Sequence, residues 1–445
     1  MLPDPDPAAD GPEHHEPGTG PVPVSLLPDG SRIGGDGRLA IAGADVLDLV
    51  EEFGTPVFIY DEEHIRNRCR EAVAAWGDGV AYASKAFLCK AMARLVHEEG
   101  MCIDVSTGGE LHVALAAGVP PERLVLHGNN KSEAELARAM EIEVGRIVVD
   151  SFDEIDRIER LARPAAGARP QKVMVRVTPG IEAHTHEYVM TGQDDSKFGF
   201  GLASGDAAKA IARLSAPRSP VELVGVHVHI GSQIFSLDSF EKAAAVISDF
   251  FTPLGLEELC LGGGLGVAYV EGEEAPSISE WAATAKLALE RAGVGRGVRI
   301  TAEPGRAVVA AAAITCYTVG TIKNIPGIRT YVSVDGGMSD NPRPVLYGSG
   351  YEAFLPLVAS APRPKMVTVV GKHCESGDVI IRDGRVPDGL SVGDILATPV
   401  TGAYGHSMAS TYNKVPRPPV VFVRDGTARL VVRRETFEDL GALDL

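Results

Sequence analysis

The sequence predicts an α/β plus β protein: a (β/α)8, TIM-like barrel followed by a C-terminal antiparallel β-domain. Three observations predict it. Between residues 79 and 306, eight short β-branched runs alternate with segments of helical periodicity, and eight parallel strands close a barrel. After about residue 310 the pattern changes to period-two runs punctuated by Asp-Gly pairs. A chain of 445 residues has room for one barrel and a companion.

Residues 1–24, rich in Pro, Gly, Asp and Glu without apolar periodicity, read as a disordered tail. Residues 25–52 are expected to pack on the β-domain, residues 53–309 to form the barrel and residues 310–445 the β-domain. The strand candidates are GVAYASKA (79–86), CIDVST (102–107), LVLHGN (124–129), RIVVDS (146–151), KVMVRV (172–177), LVGVHVHIGS (223–232), LCLGGG (259–264) and RITAEPGR (299–306). Helices fit between them: Ser132 with Glu135 and Ser151 with Glu154 match the S-x-x-E capping box, the second ahead of an apolar stripe through Ile155 and Ile158. Linkers are read at 163–171 and 271–277. In the β-domain the runs at 330–337, 365–372, 378–386 and 420–434 alternate, and Asp383-Gly384 and Asp425-Gly426 are expected hairpin turns.

Composition narrows the function. Against 42 Lys and Arg stand 60 Asp and Glu, a formal charge of −18 with no basic run, which argues against a nucleic-acid partner. No stretch reaches the roughly 18 apolar residues of a membrane-spanning helix, so no membrane partner is expected. The N-terminus lacks the basic and apolar regions of a secretory signal, and the six cysteines are scattered without a CxxC pair; both point to a cytoplasmic protein with free thiols.

In a (β/α)8 barrel the active site lies at the C-terminal ends of the strands. Those ends carry Lys85, Asp104, Ser106, His127, Asn129, Asp150, His227, His229, Gly262 to Gly264, Glu303 and Arg306. Singly, each is more often a hydrogen-bonded surface group than a catalyst; together they ring one face. The bare backbone of Gly262 to Gly264 and Gly266, with Glu303-Pro304-Gly305-Arg306 after the last strand, suits the phosphate site that barrels build there. A Rossmann reading of the glycines is poor, because no acidic strand end follows about 20 residues on. Lys85 follows an apolar strand; a lysine enclosed there loses solvation, its pKa falls and it becomes a nucleophile able to form a Schiff base. Lysine plus phosphate cup points to pyridoxal 5′-phosphate, with Glu303 available to the pyridine nitrogen. His227 and His229 also suit a metal, but that reading leaves the lysine and glycines unexplained, and no metal is expected. Cys374, in Lys372-His373-Cys374-Glu375, is compatible with a proton donor, a buried thiol or a metal ligand.

Longer motifs carry a resemblance. YASKAF (82–87), DVSTGGEL (104–111), HGNNKS (127–132), EAHTHEY (182–188), HIGSQIF (229–235), GGGLG (262–266), EPGRA (303–307), VDGGMSDNPRP (334–344), LYG (346–348), GKHCESGD (371–378) and GAYGHSMAS (402–410) occur in the order found in the diaminopimelate decarboxylases, which the chain resembles from residue 82 to 410. These are fold-type III pyridoxal phosphate enzymes of the alanine racemase-like barrel class. The resemblance implies decarboxylation of meso-2,6-diaminopimelate to L-lysine and CO2, the last step of lysine biosynthesis. It implies that Lys85 holds the cofactor covalently and that His229 stacks on the pyridine. Ser232, Gly264 and the turn Glu303, Pro304, Gly305 and Arg306 would form the cofactor cradle, with Glu303 on the pyridine nitrogen. Arg306, Arg343 and Tyr347 match substrate contacts, and Tyr404 matches a residue touching cofactor and substrate. Cys374 matches the general acid and Glu375 the partner of the distal ammonium; in the family this loop enters from a second subunit, so a homodimer is expected.

Two departures stand out: His406 has no role to inherit, and Pro342 precedes Arg343. The nearest rival is a decarboxylase of the same fold acting on ornithine, arginine, carboxynorspermidine or a carrier-bound amino acid, against which Arg343 with Glu375 argues. A non-catalytic pyridoxal phosphate-binding barrel would lack the β-domain. A metal-dependent barrel hydrolase is the third alternative.

Overall fold

The computed structural model describes residues 18–162, 169–180 and 196–445. Most of the expected tail, most of the 163–171 linker and the EAHTHEY motif lie outside the described residues.

All eight barrel strands are present: Ala81–Ala83, Cys102–Val105, Leu124–Leu126, Arg146–Val149, Gln171–Thr178, Val221–Val228, Glu258–Cys260 and Arg299–Thr301. Each pairs in parallel with its sequence neighbour. The ring is joined where Ala81 N–H donates to Ala302 O at 3.0 Å and Ala83 N–H to Pro304 O at 3.2 Å. Helices cover the outside; Glu62–Trp76 packs on Ile278–Arg291 through Trp76 edge-on to Trp281, with centroids 4.8 Å apart. Side chains alternate along a strand, so the barrel interior is built in layers. The lower layer is Ala81, Cys102, Val125, Val148, Met174, Val224 and Cys260. Two residues further along come Asp104, His127, Asp150, Arg176 and Glu303, all buried. A register shift between Leu223 and Gly225 rephases the sixth strand, so that His227 joins this polar layer.

The second sheet runs in the order Val379–Val386, Lys365–Val370, Arg329–Val334, Ala313–Ile325, Val57–Asp61, Val420–Arg424, Thr427–Val432, with Ile395–Pro399 also on Ala313–Ile325. It is mixed: Arg329–Val334 with Lys365–Val370, and Val57–Asp61 with Val420–Arg424, pair in parallel. Its central strand, Ala313–Ile325, escapes period-two reading because both faces of its first half are covered. Val57–Asp61 falls in the range assigned to the barrel, yet its buried run VFIYD is hydrogen-bonded into this sheet. Leu39, Ile41, Val46 and Leu49 pack with Val57, Ile59, Ile314 and Val421.

The two expected hairpin turns divide. Asp425 (φ 50°) and Gly426 (φ 74°) form a tight turn joining paired strands. Asp383-Gly384 is no turn; Gly384 sits opposite Val367 in a continuous strand and marks a bulge. Ser132 and Glu135 form the full capping box, whereas Ser151 supplies only the forward half. Glu154 turns instead to Asp150 N–H at 3.0 Å and Lys131 Nζ at 2.7 Å.

That last contact braces the barrel mouth. Lys131 also donates to Gly128 O and Val148 O, and both members of the pair are fully buried. Lys131→Met therefore strands the Glu154 carboxylate, at an expected cost of about 3–5 kcal/mol in urea unfolding. The double variant Lys131→Met/Glu154→Leu should recover most of it; equal losses in both would place the effect in packing.

Candidate active site

The polar layer converges on Glu303. Its Oε1 lies 2.8 Å from His127 Nε2 and its Oε2 2.9 Å from His227 Nε2, with the two imidazoles edge-on at 4.9 Å. Asp104 Oδ1 is 3.8 Å from His127 Nε2, and Asp150 Oδ1 is 3.8 Å from Arg176 Nε. Burial alone would raise the Glu303 carboxyl, but His127 and His227 reverse this and hold it well below the usual carboxylate range. Burial lowers His227 to about 4, only partly offset by Glu303, so this ring is neutral. His127 faces the same burial but also Asp104 and Glu303, and its pKa is raised. Burial lifts Asp104 to about 6 against the pull of His127. The cluster thus holds Glu303 as a carboxylate between two imidazoles, of which His227 is neutral.

Glu303→Gln is expected to destabilise the protein by up to about 3 kcal/mol at pH 7, Asp104 remaining as partial partner to His127. Because the folded carboxyl is depressed, its contribution is complete above about pH 4.3 and fades as pH falls below that. Urea midpoints of wild type and variant should therefore draw together on acidification; a constant gap would deny the depressed carboxyl.

Above this layer lies a glycine-lined shelf. A Cβ on Gly262 would meet Val228 O at 2.4 Å, on Gly263 Glu303 O at 2.5 Å, and on Gly264 Gly231 O at 2.5 Å. Gly262 (φ 65°) and Gly264 (φ 116°) also adopt backbone that side chains resist. Gly263 N–H donates to His229 Nδ1 at 3.1 Å, and burial, then the nearby Lys85 charge, holds His229 well below its ordinary pKa. Beside the shelf, Arg306 Nη2 donates to Ser232 Oγ at 3.1 Å and Nη1 to Tyr269 Oη at 2.6 Å. Arg343 donates to Tyr351 Oη at 2.8 Å and lies 4.1 Å over the Tyr269 ring. Among the described residues neither buried arginine has a carboxylate partner.

A family model described as "Pyridoxal-dependent decarboxylase, pyridoxal binding domain" matches residues 62–310. The diaminopimelate decarboxylase of Mycobacterium tuberculosis is 48% identical over 428 residues, 92% of this chain and 95% of its own. That of Bacillus subtilis is 46% identical over 93% of this chain and 97% of its own. The chain belongs to the diaminopimelate decarboxylase family. A crystal structure of the M. jannaschii diaminopimelate decarboxylase in co-complex with L-lysine matches with a TM-score of 0.85 at 33% identity, over 94% of this chain and 98% of that one.

Pyridoxal phosphate is the cofactor of this family member, and the residues fit it. Glu303 offers a buried anion at the mouth, the shelf offers bare backbone, and Arg306 Nε is a buried donor with no hydrogen bond among the described residues. Lys85 departs from its expected surroundings. The strand ends at Ala83 and a 3-10 turn, Ser84–Ala86, lifts Lys85 into the open mouth, exposed instead of enclosed. Its charge still acts on Asp104 and His229.

The last motif closes over this turn: Tyr404 N–H and Ser407 Oγ both bond to Ala86 O, at 2.8 and 3.0 Å. Tyr404 holds a left-handed backbone (φ 57°), a strained state for an aromatic residue, and its ring lies 4.7 Å from the Arg306 guanidinium. His406, unassigned from sequence, is edge-on to Phe58 and Phe87 and so pins the β-domain to the loop after Lys85. Arg343 and Tyr347 bound one short helix, with Tyr347 half-buried. Cys374 and Glu375 stand exposed in the β-domain, Cys374 N–H on Asn413 Oδ1 at 3.2 Å. His373 Nε2 bonds Ser339 Oγ at 2.8 Å, and Asp378 accepts from Met338 and His373 N–H, tethering this loop.

Tyr269 and Tyr351 were not legible as site residues, since an isolated tyrosine carries no spacing signal. The inward period-two phase of Arg176 with Asp150 was available in the strand patterns. A cavity of about 190 Å³ lies at the opposite end of the barrel, where Arg123 pairs with Asp78 and Glu258 bridges Arg146 and Arg299. Its arginines are paired with carboxylates; among the described residues Arg306 and Arg343 at the mouth are not.

Proposed function

We propose that this chain decarboxylates meso-2,6-diaminopimelate to L-lysine and CO2 with pyridoxal phosphate, the last step of lysine biosynthesis. The observation that carries the substrate is the pair Arg306 and Arg343, buried beside the Glu303 cluster with only neutral hydroxyls and rings as partners among the described residues. A site that buries two uncompensated guanidinium groups is built for an anion, and a planar carboxylate suits them. Ornithine and arginine lack the distal carboxylate that would pair them.

When bound, the cofactor supplies the sink for the electron pair left by the departing carboxylate. The rest falls to the chain. Lys85, exposed in the mouth, is the amine that would carry the cofactor aldehyde and yield it to the substrate. Glu303, held anionic by two imidazoles, would keep a proton on the pyridine nitrogen. His229 would lie against the ring, and Ser232, Gly264 and the Pro304-Gly305-Arg306 turn would hold the phosphate end. Arg306, Arg343, Tyr347 and Tyr404 would orient the substrate. Cys374 would return a proton to the reacting carbon, and Glu375 would take the distal ammonium.

The exposure of Cys374 and Glu375 on a tethered β-domain loop supports a homodimer in which each loop completes the partner's site. No helix among the described residues is long and apolar enough to cross a membrane, and a cytoplasmic location is proposed on the scattered cysteines.

The test is CO2 release from meso-diaminopimelate, L-lysine, L-ornithine and L-arginine with added pyridoxal phosphate. Turnover of diaminopimelate alone, yielding lysine, supports the proposal. Activity on another amine without diaminopimelate turnover would move the chain to a different decarboxylase.

A further inference from the structure

We infer that Tyr269 is a specificity-determining residue that holds Arg306 and Arg343 together as a two-guanidinium clamp for the substrate's distal carboxylate. The inference rests on the diaminopimelate reading above. Tyr269 is buried and touches both arginines in different ways: its hydroxyl accepts from Arg306 at 2.6 Å, and its ring face lies 4.1 Å from the Arg343 guanidinium. Tyr351, edge-on to Tyr269 with centroids 5.4 Å apart, accepts from Arg343 on the other side.

Two like charges in a buried site repel, and proteins ordinarily relieve this with a carboxylate. Here the relief comes from neutral groups. A phenol oxygen satisfies a guanidinium N–H without cancelling its charge, and an aromatic face attracts a cation through its quadrupole. Among the described residues both arginines are therefore oriented without a carboxylate partner, and the buried Arg306 Nε has no hydrogen bond there. An acidic residue at 269 would fix the arginines equally well but would occupy the clamp. Tyrosine keeps it open, so that a ligand carrying a far carboxylate gains what lysine cannot.

The experiment uses the full-length, cofactor-loaded enzyme and its Tyr269→Phe and Tyr351→Phe variants. Kinetics with diaminopimelate are combined with calorimetric titration of pimelate, which has the terminal carboxylates without the amines. Tyr269→Phe should raise the KM for diaminopimelate and the pimelate Kd by about tenfold or more, the cost of a lost hydrogen bond to a buried charge. The loss should fall on KM more than on kcat. Tyr351→Phe, which frees only Arg343, should weaken pimelate in the same sense. Pimelate affinity unchanged in both variants, or a fall in kcat with KM intact, would overturn the clamp. A wild-type enzyme that neither binds pimelate nor turns over diaminopimelate would overturn the substrate reading first, and the clamp with it.

Discussion

Lys85→Ala is expected to abolish covalent attachment of pyridoxal phosphate and to lower lysine formation on the order of 10³-fold or more, as for other residues that bond the reacting group. Lys85 sits exposed in the Ser84–Ala86 turn and has no hydrogen bond or ion pair among the described residues, so its removal should leave stability within about 0.5 kcal/mol. That combination is diagnostic. Loss of the cofactor's bound absorbance with an unchanged urea midpoint assigns a chemical role. Persisting covalent cofactor would remove Lys85 from the reaction, and a large fall in stability would show that the turn needs the lysine for structure. The glycine shelf and Arg306 are untouched by the substitution, so free pyridoxal phosphate should still compete for the site without bonding to it.

How much of this was legible in the sequence depends on where the physics is local. The eight barrel strands announced themselves because each is a short β-branched run ending in polar or glycine residues, and parallel strands buried on both faces read as continuous apolar runs. Lys85, Glu303, Arg306 and the glycines were visible at strand ends for the same reason. What escaped depends on pairing between distant segments. Val57–Asp61 has no local mark of belonging to the second sheet; only its register against Ala313–Cys316 puts it there. Gly384 carried a turn signal but lies in a bulge, because its neighbour Val367 continues the ladder past it. The enclosure expected for Lys85 failed because a 3-10 turn, not the strand, carries it. Tyr269 acquires meaning only when Arg343, 74 positions later, folds over its ring.

Cys374→Ala should keep the cofactor and the fold yet lose about 10²–10⁴-fold in lysine formation, the range for a positioned proton donor. The thiol is exposed, so little packing is lost. Its backbone is fixed independently of the side chain: Asn413 takes Cys374 N–H, and the Asp378 carboxylate holds His373 and Met338 N–H. The alanine variant should therefore present the same loop without the proton. If that loop completes the partner's site, Lys85→Ala and Cys374→Ala disable different halves of one centre. Mixing the two inactive variants under conditions that exchange subunits would then place one intact Lys85 and one intact Cys374 in a single centre of each mixed dimer. With random pairing, about a quarter of wild-type activity should return. Recovery of that size would establish both the dimer and the direction of sharing. A mixture that exchanges subunits and stays inactive would put Cys374 in the site of its own chain, and normal turnover by Cys374→Ala alone would remove it from the chemistry.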